Sequence, residues 1–191
     1  DLERAIKTGS TPLMVASQEG HLPIVERLLA QGANRDKDQE CCYWACQRGH
    51  LGVVQRLYVE KVDIHAANEN GFTPLFGACY SGHVPIVDFL LAQGAEADLE
   101  RAMEGGGTPL MVASLAGHLP LVEHLLARGA NPNVKADTGE TCFYVACQNG
   151  HLGVAERLSA EEVDIHAADK AGWTPLWAAC LKDHLPVVNF L

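Results

Sequence analysis

Basic residues are scarce in this 191-residue chain: 14 Lys and Arg stand against 24 Asp and Glu, for a formal net charge of −10. A surface of that sign repels phosphate backbones and anionic headgroups, which argues against nucleic-acid binding and electrostatic membrane adsorption. Long apolar runs are missing too, and none approaches the ~18 residues that a membrane span requires. Residues 1–10 (DLERAIKTGS) are polar and hold no signal-peptide core, so an intracellular protein is expected rather than a secreted one. No Gly-rich phosphate loop, G-x-S-x-G or H-E-x-x-H is present. Carboxylates are plentiful but scattered, so no catalytic residue and no cofactor site are assigned, and no enzyme is expected. The seven cysteines include no C-x-x-C pair with a second pair to match it, so no metal site is assigned. An odd count in a chain of this size does not suit a disulfide scaffold either, and reduced, buried thiols are expected.

What is present is repetition. Gly-His occurs at Gly20-His21, Gly49-His50, Gly82-His83, Gly117-His118 and Gly150-His151, and Asp183-His184 stands in the same place. The histidines are spaced by 29, 33, 35, 33 and 33 residues. Ten residues upstream of four of them lies Thr-Pro-Leu, beginning at Thr11, Thr73, Thr108 and Thr174. Six copies result, and the set of three is itself written twice. Residues 1–34 match 98–131 at roughly three positions in four, and Cys41–Leu90 pairs with Cys142–Leu191 at more than half.

Each copy predicts two short helices. Thr11 is placed to cap the first, Pro12 suits its first position, and Gly20 ends it. Ile24, Val25, Leu28 and Leu29 give the second helix an apolar face, and a left-handed Gly32 ends it. Lys61 and Glu162 replace that glycine in repeats 2 and 5, at a cost of roughly 1 kcal/mol if the left-handed conformation is kept. Cys46, Cys79, Cys147 and Cys180 lie four residues before the repeat histidine, where repeats 1 and 4 have Ser17 and Ser114. Small residues there are expected where helices pack closely. Packed helices stand about 8–10 Å apart, too far for such a row to converge on one metal ion.

This pattern resembles the ankyrin repeat over essentially the whole chain. Repeat 1 reads TPLMVASQEGHLPIVERLLAQGA and repeat 4 reads TPLMVASLAGHLPLVEHLLARGA. The resemblance implies an all-α solenoid of helix-turn-helix repeats with short β-hairpin or irregular fingers. It divides residues 1–191 into one domain of six repeats, at about 1–34, 35–67, 68–102, 103–135, 136–168 and 169–191. The His that the family carries after Thr-Pro-Leu is replaced by Met14, Tyr43, Phe76, Met111, Tyr144 and Trp177. The turn before repeat 2 is about four residues short, so a distorted hairpin is expected there. Before repeat 4, DLERAME is expected to form a helical turn. Neither end carries a polar capping repeat, so a segment of a longer array is expected.

The resemblance also implies roles. The repeat histidines bond backbone between repeats, and His65 and His166 make local backbone bonds. His124, alone on a second helix, is expected in solvent. Protein partners bind the concave side, built from the fingers and the residues just before each Gly-His. That places Tyr80, Leu115, Gln148 and Leu181 in the groove, with Phe72 and Trp173 added from the fingers. Phe72-Phe76-Tyr80 and Trp173-Trp177-Leu181 run at i, i+4, i+8, which stacks each set on one helix face. Phe76 and Trp177 are expected to pack between repeats. Glu19, Glu69, Asp137, Glu140 and Asp169 favour a basic partner. The function expected is therefore non-catalytic protein binding. A structural subunit of a large assembly, and a targeting or autoregulatory arm of a longer enzyme, channel or effector, are the alternatives.

Overall fold

Thr11 begins the first helix as its spacing predicts: its Oγ1 accepts the Met14 N–H at 3.2 Å. The same bond recurs from Phe76 to Thr73, Met111 to Thr108, Tyr144 to Thr141 and Trp177 to Thr174, at 3.1–3.3 Å. Each satisfies one of the orphan N–H groups at a helix start and contributes ~1 kcal/mol. The computed structural model describes residues 10–33, 40–68 and 70–191. Among them are twelve α-helices and no β-strand.

The chain divides into two units, one ending at Asp98 and the other spanning Leu99–Leu191. The first unit holds α1 (Pro12–Gln18), α2 (Leu22–Ala30), α3 (Glu40–Arg48), α4 (Leu51–Val59), α5 (Pro74–Ser81) and α6 (Val84–Ala92). The second holds α7 (Pro109–Ala116), α8 (Leu119–Ala127), α9 (Cys142–Gln148), α10 (Leu152–Ser159), α11 (Pro175–Leu181) and α12 (Leu185–Phe190). Within the first unit, α1, α3 and α5 form an inner layer and α2, α4 and α6 an outer one; α7, α9 and α11 are backed by α8, α10 and α12 in the second. The inner helices α5, α7 and α9 are largely buried, and every residue of α9 from Cys142 to Cys147 is inaccessible, whereas α1 and α11 each bury three residues. The outer helices bury one stripe, such as Leu121, Val122 and Leu125 of α8. One apolar layer between two rows of helices is the core of each unit.

Repeat histidines tie neighbouring repeats together. Nε2 of His50, His83, His151 and His184 lies 2.9–3.1 Å from the carbonyl oxygen of Gln18, Gln47, Leu115 and Gln148 respectively. The interlock also explains the preceding glycine. A Cβ on Gly20, Gly49, Gly117 or Gly150 would lie 2.4–2.7 Å from the next repeat's imidazole.

Lys61 keeps the left-handed conformation, at φ 66°. Repeat 5 avoids it: Val163 N–H turns back onto the Glu161 oxygen at 2.7 Å, and Glu162 escapes the cost. The shortened turn before repeat 2 lies at residues 34–39, outside the described residues. Before repeat 4 the helical turn expected over DLERAME in place of a finger is met only at its start: Met103 N–H bonds the Gly107 oxygen in a finger turn, and the residues before it form a 3₁₀ turn over Ala95–Glu100. Its buried Asp98 meets Nδ1 of His65 at 2.8 Å, so the His65 ring bonds a carboxylate rather than backbone. The backbone N–H groups of His65 and His166 bond Oδ1 of Asp63 and Asp164 at 2.8 and 2.9 Å. His124, expected in solvent, is half-buried on α8.

Candidate functional site

Four fingers close with one pattern. Asn68, Met103, Ala136 and Asp169 each donate their N–H to the oxygen four residues on, at 2.9–3.0 Å. Each also accepts from the N–H of a glycine three residues on: Gly71, Gly106, Gly139 and Gly172. Asn68 and Asp169 reinforce the loop, with Oδ1 accepting from the N–H of Phe72 and Trp173 at 2.9 Å. In the second unit the fingers are joined edge to edge. Asp137 N–H bonds Gly105 O, and Lys170 N–H bonds Thr138 O, each at 2.9 Å. These loops are hairpin turns without strands, and the inter-finger bonds hold three of them in a row.

Beside that row, Leu115, Gln148 and Leu181 occupy one position on α7, α9 and α11. Leu115 is 40% exposed, Gln148 half-buried and Leu181 60% exposed. The carbonyls of Leu115 and Gln148 are those held by the next repeat's histidine, so the row is fixed at its backbone. Trp173 rises from the last finger, 44% exposed, and stacks on Trp177 with centroids 4.1 Å apart. Leu115, Gln148, Trp173 and Leu181 therefore lie on one side of the second unit. Tyr80 holds the corresponding position in the first unit and is also exposed.

Phe72 sits differently. It is half-buried between Tyr43, at 5.9 Å, and Phe76, at 4.9 Å, with all three rings nearly parallel. These contacts hold its finger against α3 and α5. Phe76 is buried as expected, but Trp177, expected between repeats, is exposed because no described helix covers that face of α11.

Acidic side chains collect at the fingers. Glu140 Oε2 accepts the Thr138 hydroxyl at 2.9 Å. Beneath it, burial and then the carboxylates of Asp169 and Glu140 push the Tyr144 phenol up to about 12. Two carboxylates close enough to perturb one phenol give this end of the surface a negative potential. Of the other acidic positions, Glu69 lies outside the described residues.

The thiols divide by burial. Six cysteines are buried and Cys180, against expectation, is exposed. Burial pushes Cys142 and Cys147 up to about 12, and Cys79 well above its usual range. Native protein is therefore expected to give one fast-reacting thiol with a disulfide reagent at neutral pH, and seven after denaturation. Six silent thiols becoming reactive without denaturation would contradict the packing. The linkage to stability has a definite sign. An unfolded thiol ionises near 9.0 and these only near 12, so their contribution is full below 9 and is lost as pH rises towards 12. Among the described residues, no group of three His, Cys, Asp or Glu is placed to hold a metal ion. Nor is any described helix long and apolar enough to cross a membrane.

Comparison with known proteins agrees with the repeat architecture. A family model described as ankyrin repeats in three copies matches residues 1–66, 42–136 and 110–191. The chain is also similar to the mouse protein named ankyrin repeat and SAM domain-containing protein 6. The two are 33% identical over 88 residues, which is 46% of this chain. The match spans only 7% of that relative's length.

Proposed function

The chain belongs to the ankyrin repeat family, whose repeats are generally non-catalytic protein–protein interaction modules, and from that premise we propose that it binds a protein partner on the finger side of its inner helices. One observation carries the reading: Leu115, Leu181 and Trp173 are large apolar side chains exposed on one side of a backbone-pinned unit. Exposed aromatics such as Trp173 are the residue types that dominate binding energy, and the exposed leucines extend the apolar surface around them. Gln148 supplies a polar contact between the two leucines. Tyr80 and, to a smaller extent, Phe72 add the equivalent surface of the first unit. The binding surface is pre-formed, so little ordering entropy is lost on association.

Partner chemistry follows from charge. Asp169, which accepts the Trp173 N–H, and Glu140, which acts with it on Tyr144, favour a segment bearing Lys or Arg, and the net charge of −10 draws a basic partner in at long range.

The experiment is capture from native extract with identification by mass spectrometry. Wild type is run beside a Tyr80→Glu/Leu115→Glu/Leu181→Glu variant whose helicity is checked by circular dichroism. Each exposed position tolerates Glu without entering the core, so the variant is expected to fold. Loss of these three side chains is expected to cost about 3 kcal/mol, a hundredfold or more in affinity. Partners retained equally by both proteins would move the interface to the outer helices. The reading of this chain as a structural subunit would then take precedence.

A further inference from the structure

Two carboxylates of the second unit act on one buried phenol. Asp169 uses Oδ1 within its own finger, accepting the N–H groups of Ala171 and Trp173 at 2.8 and 2.9 Å. Glu140 uses Oε2 on the Thr138 hydroxyl at 2.9 Å. Each carboxylate is thus fixed through one oxygen and keeps the other free of a completed hydrogen bond among the described residues. Both are half-buried, and neither forms an ion pair among the described residues. Lys170, next to Asp169 in the chain, is exposed and forms none either. The Tyr144 hydroxyl of α9 is closed to solvent and completes no hydrogen bond, although Asp169 is within its reach. A buried hydroxyl left without a partner is costly.

The fold does not ask for these charges. At the positions of Glu140, Tyr144 and Asp169, the first block has Gln39, Tyr43 and Asn68. Asn68 Oδ1 accepts the N–H groups of Asn70 and Phe72 at 3.1 and 2.9 Å, the same two loop bonds that Asp169 accepts. A neutral amide therefore closes the finger as well as a carboxylate does. Where the first block has two amides, the second has two like charges, which repel one another unless a cation joins them.

We propose that Asp169, Glu140 and Tyr144 form a binding site for one lysine side chain of the protein partner. The site rests on the reading of the finger side as the partner surface, and it names the group recognised there. An ammonium brings three N–H donors. Three oxygens await donors: Asp169 Oδ2, Glu140 Oε1 and the phenol oxygen. The hydroxyl is closed off in the free chain, so the ammonium reaches it by parting two carboxylates that already repel. A guanidinium is a planar fork that suits both oxygens of one carboxylate, and here one oxygen of each is taken. A calcium ion takes about six to eight oxygens. Among the described residues, no group of three His, Cys, Asp or Glu is placed to hold a metal ion.

The test is a titration of isotope-labelled protein with an alanyl-lysyl-alanine tripeptide blocked at both ends, read by NMR at the side-chain carboxyl carbons under constant ionic strength. Saturable shifts are expected at Asp169 and Glu140 in the millimolar range, and none at the exposed Asp164. The matching arginine tripeptide and calcium chloride should bind more weakly. Asp169→Asn keeps the finger bonds as Asn68 does, and should weaken the lysine tripeptide about fivefold or more, read at Glu140. Tyr144→Phe removes a hydroxyl that completes no bond, so it should melt no lower than wild type yet bind the lysine tripeptide about threefold more weakly. The proposal is overturned if Asp169 and Glu140 respond no more than Asp164, if either variant binds the lysine tripeptide as wild type does, or if the arginine tripeptide or calcium chloride saturates the site at a lower concentration. If the lysine tripeptide fails while Tyr80→Glu/Leu115→Glu/Leu181→Glu still loses its captured partners, the lysine site falls alone. If that variant keeps its partners, the surface reading beneath it falls.

Discussion

Phe143→Ala is expected to cost about 3–5 kcal/mol of unfolding free energy, measured as a lower urea midpoint by circular dichroism. Phe143 is among the largest fully inaccessible side chains, and it sits on α9, the middle inner helix of the second unit. That helix packs against α7 on one side and α11 on the other, with α10 behind it. A cavity there lies under the central element of the stack, and α9 is held from three directions, which limits how far neighbours can collapse into the space. In a linear array each repeat draws its stability from its neighbours, so loss at the centre weakens both joints at once. A total stability of 5–15 kcal/mol is usual for a domain, so a loss of this size takes a large share of it. A change below about 1 kcal/mol would mean that α9 is not the packed centre described.

Gly117→Ala is expected to cost about 2 kcal/mol or more, although it adds only one methyl group at the surface end of a helix. Two effects combine. Gly117 has φ 77°, a conformation that costs a side-chain-bearing residue ~1 kcal/mol. Its new Cβ would also sit 2.5 Å from Nδ1 of His151, so the ring must move and the 2.9 Å bond from Nε2 to the Leu115 oxygen is lost. The comparison that separates the two effects is Gly129→Ala, at φ 89° with nothing within 4 Å of the new methyl group. It should show the backbone cost alone. Equal losses in the two variants would mean that the histidine interlock contributes nothing.

Local chemistry explains which features were legible in the sequence. The Thr caps, the left-handed glycines and the helix pairs depend on residues within one repeat, and their spacing is enough to place them. The exposed positions of Tyr80, Leu115 and Leu181 followed from register once one repeat was aligned with the next. Features that depend on a neighbour were not legible. Trp177 and Cys180 carry the residue types of buried positions, yet nothing described packs on their face of α11. Phe72 and Trp173 occupy one position in the duplicated block, but Tyr43 stacks on the first, whereas the second stands out from its finger. Glu162 differs from Lys61 because the chain after α10 finds a tighter turn, a choice of backbone that neither residue type announces.

The most direct test of the central claim is hydroxyl-radical footprinting of the chain alone and bound to the partner obtained by capture, read by mass spectrometry at single side chains. Binding on the finger side predicts at least severalfold protection of Leu115, Trp173, Leu181 and Tyr80. Val59, 62% exposed on the outer helix α4, should react as before. Protection of Val59 with Leu115, Trp173 and Leu181 unchanged would contradict the account and place the partner on the outer helices.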